Sequence, residues 1–263
     1  MAVKSVGEEG MSLSVLPEGC IAKVLSFTGP TDACRLSIVS SMFKSAEESD
    51  AVWERFLPRD YQSIIFTSDS SVLLASLSSK KELYLRLCEK PIIIDDGKKS
   101  FSLVKKSGKK CYMLSARDLM IVWGDTPSYW RWNSDSSSRF GEVAELISVC
   151  WLEIRGTNLC NYAISRNNVR SIPRVQANRR SSRAGLPASG ADLWGMQEPV
   201  AARENNAQNP RERGDGWLEI ELGEFFCEEG EDRELEMSVQ EVKGGDWKGG
   251  LIVEGIELRP KEG

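Results

Sequence analysis

Apolar side chains recur at helical spacing near the start of the chain. In "LPEGCIAKVLSF", Ile21, Val24 and Leu25 fall at i, i+3 and i+4, directly after a Leu16-Pro17 pair. Proline is favoured in the first turn of a helix because its missing N–H would have no partner there. The pattern therefore predicts an amphipathic helix that begins near Pro17.

Two further helices are predicted before the chain reaches Pro58, which would end the last of them. In "GPTDACRLSIVSSMFKSAEES", Thr31 is the expected N-cap, and in "SDAVWERFLP" the expected N-cap is Asp50, with Trp53 on the apolar face. Three helices of about ten residues enclose only a small core, so we expect this module, residues 13–57, to bind a partner.

The period of the pattern changes from helical spacing to alternation after residue 115. Alternation of apolar and polar residues is typical of strands that cover one side of a core. The apolar sets are Cys150, Leu152 and Ile154; Leu218, Ile220 and Leu222; and Leu235, Met237 and Val239. With a final strand in "GGLIVEGIELRP" and Gly/Asp turns between the segments, the pattern predicts an antiparallel, jelly-roll-like β-sandwich over residues 115–263.

Residues 59–114 are predicted to connect the helices to the sandwich. A serine-rich stretch is followed by a short helix in "SSKKELYLRLCEKP", capped by serine. Turn signals at Asp96-Gly97 and Ser107-Gly108 then indicate short hairpins.

The alternating pattern stops between residues 165 and 212. This stretch is rich in Arg, Ser, Ala, Asn and Pro, and we expect it to be disordered. Almost fifty such residues inside a compact sandwich are unusual, and a shifted reading frame or a mis-predicted splice is one hypothesis for their origin.

Composition excludes most kinds of catalytic chemistry. The chain has no histidine, which removes imidazole acid–base catalysis and His-ligated zinc, whereas enzymes built only on carboxylates remain possible. We expect no enzyme activity, no catalytic residue, no metal site and no cofactor. The net charge of −5 argues against nucleic acid as a partner. No apolar run approaches the length of a membrane span, and "MAVKSVGEEG" lacks the apolar stretch of a signal peptide, so a cytoplasmic or nuclear location is expected.

Over residues 12–58 the chain resembles an F-box. The resemblance rests on the Leu-Pro start, the Pro-x-Asp turn into the second helix and the Asp-x-x-Trp near the close. It implies docking onto a Skp-type adaptor and through it onto a cullin-RING ubiquitin ligase. The positions that match the adaptor-facing ones are Leu16, Pro17, Ile21, Val24, Leu25 and Trp53.

The second half resembles the phloem protein 2 family, relatives of the Nictaba lectin, in "SARDLMIVWGDTPSYWRW", "EVAELISVCWLEIRG", "RGDGWLEIELGEFF" and "DWKGGLIVEGIELRP". Together with the F-box, the whole resembles the plant phloem protein 2-B type F-box proteins. The resemblance implies a site for N-acetylglucosamine-containing ligands or N-glycans at Trp123, Trp130, Glu234 and Glu241. An exposed indole can cover the apolar face of a sugar ring while carboxylates accept hydrogen bonds from its hydroxyls.

Alternatives remain open for the tryptophans. Trp123 follows the apolar run 119–122 and could belong to the core, as could Trp130. The remaining tryptophans of this half are expected to be packing residues: Trp132, Trp151, Trp217 and Trp247.

Three functions fit these features. The first is a substrate receptor of a Skp-cullin-F-box (SCF) ubiquitin ligase that selects targets through a lectin-like domain. The second is an F-box receptor whose sandwich binds protein and has lost glycan binding. The third is a glycosidase with Glu234 and Glu241 as its acid and base. Because Trp123 and Trp130 precede the irregular segment 165–212 and the two glutamates follow it, we expect weak sugar binding at most.

Overall fold

A computed structural model of the chain describes residues 16–159, 167–177, 194–195, 211–227, 234–242 and 245–261. Helices come first and strands follow. The helices are α1 (Glu18–Leu25), α2 (Pro30–Ser37), α3 (Ser41–Glu47), α4 (Asp50–Phe56), α5 (Tyr61–Phe66), α6 (Ser71–Ala75) and α7 (Lys80–Glu89). The strands are β1 (Ile92–Ile94), β2 (Lys99–Leu103), β3 (Lys110–Ser115), β4 (Met120–Ile121), β5 (Trp130–Asn133), β6 (Val143–Leu146), β7 (Leu152–Leu159), β8 (Asn167–Ala177), β9 (Trp194–Gly195), β10 (Arg211–Glu212), β11 (Leu218–Glu219), β12 (Gly223–Cys227), β13 (Glu234–Glu241) and β14 (Leu251–Pro260).

The second predicted helix is two helices. Helix α2 has Gly29 at its N-cap and Pro30 at its first position, so the prediction of Thr31 as N-cap is wrong. The chain turns again at Ser40, whose hydroxyl accepts a hydrogen bond from the backbone N–H of Phe43 and caps α3. A serine inside an apparently continuous helical pattern therefore marks a helix boundary.

Asp50 caps a different helix from the one predicted. Ser49 is the N-cap of α4, and Asp50 is the first residue of that helix. The carboxylate of Asp50 instead accepts a hydrogen bond of 2.7 Å from the backbone N–H of Lys80, at the start of α7. The predicted serine cap of α7 is confirmed, because the Ser79 hydroxyl accepts from the backbone N–H of Glu82.

The predicted hairpins belong to the large sheet. β1, β2 and β3 form an antiparallel meander with turns at the predicted positions, and Gly97 and Gly108 have positive φ there. β3 then pairs with β14, so the sheet begins before residue 115. The serine-rich stretch that precedes the hairpins contains helices α5 and α6.

Two antiparallel sheets make up the second half. The large sheet has the order β1-β2-β3-β14-β8-β11-β10, with β12 also pairing with β8 and the β5–β6 hairpin pairing with β14. The small sheet has the order β4-β7-β13-β9. The sheets approach each other closely at Gly156 of β7, where an added Cβ would lie 2.8 Å from Leu119 and 3.1 Å from Leu114 of β3. The predicted order of N-terminal helices followed by antiparallel sheets is confirmed.

Two of the predicted strands are shorter than expected. The strand in "SVCWLEIRG" begins at Leu152. Before it, Val149 is buried and forms only an isolated bridge with Lys248, outside the named strands. The stretch "DGWLEIELGEFF" is divided into β11 and β12, although Ile220 and Leu222 between them are buried as predicted.

The irregular segment supplies a central strand. The prediction of disorder over 165–212 does not hold for Asn167–Ala177, because these residues form β8, which pairs with β14 from Leu251↔Ala177 to Pro260↔Val169. The same strand pairs with β11 and β12 on its other side. Of the segment 165–212, only β8, β9 and β10 are described, and the prediction of disorder for the other residues falls outside the described part of the chain.

One hydrophobic core runs from the helices into the sheets. Trp53 of α4 packs against Tyr84 of α7, with ring centroids 5.1 Å apart, and α7 in turn contacts β2. The core cluster continues from there to Ile154 and Leu258. Within the described residues, no helix is long and apolar enough to cross a membrane.

Candidate adaptor surface and carbohydrate site

The six predicted adaptor-facing residues fall into two groups. Leu16, Pro17 and Val24 are exposed at or near α1. Ile21 and Leu25, on the opposite face of that helix, are buried, and so is Trp53 of α4. Only the first group can contact a partner directly, because the second is already covered by the protein itself.

Trp53 is a core residue, which corrects its prediction as an adaptor contact. Its exposed fraction is 0%, its ring lies 5.5 Å from that of Phe56, and its indole N–H donates a hydrogen bond of 2.7 Å to the backbone oxygen of Glu47. A large aromatic side chain satisfied in this way holds helices together. Its truncation would damage the fold before it changed any surface.

Three exposed apolar residues of the F-box region were missed by the sequence analysis. Phe27 follows α1, and Ile38 and Val39 follow α2, and all three are largely exposed, with Ile38 reaching 86%. Together with Val24 they form what we call the apolar F-box surface. The signal was hidden because the residues at 38 and 39 were assigned to the interior of one long helix, whereas they lie in the break between α2 and α3.

Trp123 lies on an exposed turn at the end of β4. Its indole is 45% exposed, and its φ of 58° is in the left-handed region that non-glycine residues rarely occupy. The ring contacts Tyr129, with centroids 5.5 Å apart. A strained backbone that holds an aromatic side chain towards solvent is a feature of binding sites. The turn residues around Trp123 thus place this indole at the surface, as a sugar contact would require.

Trp130 lies in the core, which is the alternative that the sequence left open. Its exposed fraction is 2%, so its ring offers no face to a ligand. Its indole N–H has no hydrogen-bond partner among the described residues. Trp132, two residues along β5, is partly buried: its N–H donates to the backbone oxygen of Gly124, and the Arg117 guanidinium lies 3.6 Å from its ring centroid.

The two predicted glutamates lie at opposite ends of β13. Glu234 pairs with Leu159 and Glu241 with Leu152, so seven residues of extended strand, about 23 Å, separate them. Glu241 forms an ion pair with Lys248. The structure therefore does not bring these carboxylates to one sugar ring.

Trp123 and Glu241 are at the same end of the small sheet. The backbone N–H of Val122, just before Trp123, donates to the backbone oxygen of Glu153, and the neighbouring Leu152 pairs with Glu241. Glu234 is at the far end. Of the four predicted sugar residues, the structure thus brings two to one end of the sheet.

Two further tryptophans at this end were predicted to pack but are exposed. Trp151 precedes β7 and is 45% exposed, and Trp247, beside the Val149–Lys248 bridge, is more exposed still. Trp217, by contrast, is buried as predicted, and its N–H donates to the backbone oxygen of Ser137. The strand pattern alone could not distinguish the exposed tryptophans from the buried one, because each is followed by apolar or charged residues.

Trp151 is tied to charged neighbours on the outer face of β7. Its indole N–H donates a hydrogen bond of 2.9 Å to Glu153, and Arg155 donates one of 2.7 Å to the other carboxylate oxygen. The hydrogen bond from Trp151, reinforced by that from Arg155, holds the pKa of Glu153 below its ordinary value although partial burial opposes the shift. No group of three His, Cys, Asp or Glu side chains suited to a metal ion occurs among the residues that the structure describes.

Comparison with known proteins agrees with this division into helices and sheets. The family profile for Phloem protein 2 matches residues 109–260, more than half of the chain, and the F-box domain profile matches residues 13–55. The chain is 46% identical over 268 residues to PP2-B12 of Arabidopsis thaliana, covering 96% of this chain and 99% of that protein. The chain belongs to the PP2-B type F-box proteins.

Other relatives of this PP2-B type F-box protein are similar over nearly their whole length. F-box protein PP2-B10 of Arabidopsis thaliana is 41% identical over 283 residues, which cover 98% of this chain and 97% of the relative. F-box protein PP2-B15 of the same plant is 41% identical over 282 residues, covering 94% and 96%. Since the matches extend across the F-box, the connector and the sheets, the whole arrangement is shared and not only its parts.

Proposed function

We propose that the protein is a substrate receptor of an SCF-type ubiquitin ligase, with the F-box bound to a Skp-type adaptor and the sheets selecting the target. The observation that carries the first half is the apolar F-box surface of Val24, Phe27, Ile38 and Val39. Several large apolar residues exposed on one small helical module indicate an interaction surface. They lie in the part of the chain that matches the F-box profile.

The test is co-purification of the full chain with a recombinant Skp-type adaptor. Ile38→Asp and Phe27→Asp place a charge in a desolvated interface, and loss of an interface anchor costs about 2 kcal/mol or more, roughly thirtyfold in affinity. We expect both variants to lose the adaptor and to keep the parent's circular dichroism spectrum. Val72→Asp is the matched control, because Val72 is as exposed as Ile38 but lies on α6, outside the F-box. Unchanged adaptor binding by the two F-box variants would refute the proposal.

For the second half of the function we propose recognition of carbohydrate at the end of the small sheet that carries Trp123. The strained turn and the exposed ring of Trp123 support the proposal. Weak sugar binding was expected because a central strand seemed to be lost, and β8 supplies that strand. The full chain should bind N-acetylglucosamine oligomers on a glycan array, and Trp123→Ala should abolish the signal. Absence of any glycan signal from the parent protein would refute this half while leaving the adaptor result intact.

Recognition of a protein surface is the second candidate, and two observations favour it. Trp130 is buried and Glu241 is engaged by Lys248, so half of the expected sugar contacts are occupied within the protein. A glycosidase is disfavoured more strongly, because glycosidase carboxylates lie roughly 5–10 Å apart and Glu234 and Glu241 are about 23 Å apart along β13.

A further inference from the structure

The outer face of β7 carries an ordered group of three side chains that the expected sugar site does not include. Trp151, Glu153 and Arg155 are two residues apart and therefore project to the same side of the small sheet. Their hydrogen bonds connect them in one row, from the indole N–H to one carboxylate oxygen and from the guanidinium to the other. We call this group the β7 triad.

The triad combines a flat apolar face with oriented polar groups. The Trp151 ring is 45% exposed while its N–H is fixed by Glu153, so the ring is held in place with a face towards solvent. A carboxylate oxygen can accept about two hydrogen bonds, and Arg155 approaches one oxygen of Glu153 with two nitrogens, so the remaining acceptor capacity is on the oxygen that accepts from Trp151. Arg155 has five N–H donors, and among the residues that the structure describes its guanidinium makes only a long 3.4 Å contact with Glu236 besides its bonds to Glu153.

We propose that the β7 triad is the part of the carbohydrate site that binds one neutral, hydroxyl-rich sugar ring, an inference that rests on the carbohydrate half of the proposed function. The Trp151 face covers the C–H groups of the ring, Glu153 accepts from its hydroxyls and Arg155 donates to its oxygens. Glu153 takes the role that was expected of Glu234 and Glu241. The turn that carries Trp123 begins where the backbone N–H of Val122 donates to the backbone oxygen of Glu153.

The charges of the triad together with that of the neighbouring Glu236 select against acidic sugars. Glu153 and Glu236 carry two negative charges against the single positive charge of Arg155, and Lys248 is engaged by Glu241. An anionic ring would meet net repulsion here, whereas a neutral ring would not. Binding of a neutral ligand should also depend little on salt, because no ligand charge is screened.

The experiment is calorimetric titration of the full chain with the N-acetylglucosamine trimer. We expect Trp151→Ala to weaken binding about thirtyfold or more, as for other truncated aromatic anchors. Glu153→Gln should weaken binding about tenfold, because hydrogen bonds to a charged acceptor contribute more than those to a neutral one. Trp247→Ala is the matched control, since that exposed indole makes no hydrogen bond to a carboxylate among the described residues. It should bind like the parent, and the melting temperature of every variant should stay within a few degrees of the parent's.

The outcomes separate this inference from the proposed function. If the parent binds the trimer, Trp123→Ala abolishes binding and Trp151→Ala does not change it, the triad assignment is overturned while carbohydrate recognition stands. Equal losses in Trp151→Ala and Trp247→Ala would also overturn it, because the oriented carboxylate would then make no difference. If the parent binds no neutral glycan, both proposals fall. A preference for sialylated over neutral glycans would contradict the charge argument and with it the assigned ligand class.

Discussion

A buried ion pair joins the F-box to α7, the last helix of the connector. Lys81 of α7 lies 2.7 Å from the carboxylate of Glu47, whose side chain is only 2% exposed, and Cys34 donates a weak hydrogen bond to the same group. Burial, reinforced by the neighbouring Glu47 charge, raises the pKa of the Cys34 thiol, so this thiol stays neutral. Lys81 is therefore the cation on which the buried carboxylate depends.

Replacing Lys81 with methionine keeps the aliphatic stem and leaves Glu47 buried without its counter-charge. Removing one partner of a fully buried pair costs about 3–5 kcal/mol. Because the Lys81 side chain is 31% exposed, water can partly replace it, and we expect a loss of about 2–3 kcal/mol in the free energy of unfolding. The measurement is urea denaturation of the full chain, followed by the helical circular dichroism signal.

Two variants make the result decisive. Lys81→Met with Glu47→Gln removes both charges and should recover most of the loss, because no buried charge remains. Lys105→Met breaks the exposed Lys105–Glu89 pair, with both side chains 65% exposed, and should cost less than about 0.5 kcal/mol. If Lys81→Met is no more destabilising than Lys105→Met, the pair is not buried in solution and the attachment of α7 to the F-box is wrong.

Two further predictions concern the large sheet. Gly255→Ala should destabilise the protein by about 3 kcal/mol or more, or prevent its folding, because an added methyl would overlap the backbone oxygen of Leu114. Gly141→Ala is the control: its added methyl meets nothing nearby, so thermal unfolding should stay almost unchanged. The second prediction concerns Glu219. Burial raises the pKa of its carboxyl, but hydrogen bonds and charges from Arg259 and Arg213 outweigh burial and lower that pKa. The contribution of Glu219 to the free energy of unfolding is therefore present above the unfolded-state pKa and is lost as the pH falls through the folded-state pKa. Glu219→Gln should therefore cost about 1–2 kcal/mol at pH 7 and progressively less on acidification through the carboxylate range; a loss that is the same at pH 7 and pH 3 would contradict the ion-pair origin.

Alternation predicted the strands that have one face towards solvent. Leu235, Met237 and Val239 of β13 are buried, whereas Glu234 before them and Glu236 between them are not, although Ser238 is buried as well. The helical spacing of α1 was correct for Ile21 and Leu25, which are buried, but Val24, which was predicted on the same apolar face, is exposed.

The pattern failed where strand pairing, and not amphipathicity, decides the structure. β8 contains charged residues and Pro173, which argues against a central strand because proline cannot donate to the ladder. It is nevertheless paired on both sides, and the register with β14 shifts between Val253 and Gly255. Glu254, the extra residue at this bulge, is buried and accepts a hydrogen bond from the backbone N–H of Arg139. Such long-range pairing leaves no periodic signal.

The site was predicted in part for a related reason. Trp123 was expected at the site through the resemblance to the phloem protein 2 family, and the structure exposes it. The structure buries Trp130, for which the sequence left the core alternative open, and exposes Trp151, which was expected to pack, because a single tryptophan in a short strand gives no indication of which face is covered. The hydrogen bond from the Trp151 indole to Glu153 shows that this carboxylate is next to an exposed indole.

The packing around α7 bears on how a receptor of this kind would present its target. Trp53 of the F-box contacts Tyr84, and the Tyr84 hydroxyl donates a hydrogen bond of 3.0 Å to the backbone oxygen of Lys105 in the turn between β2 and β3. The same turn is so close to α4 that a Cβ on Gly108 would lie 2.7 Å from the Phe56 oxygen. A ligase transfers ubiquitin efficiently only when the target is held within reach, which requires restricted motion between adaptor and target. Because α7 and this turn join the F-box to the large sheet through buried contacts, the chain itself would supply that restriction in the proposed receptor.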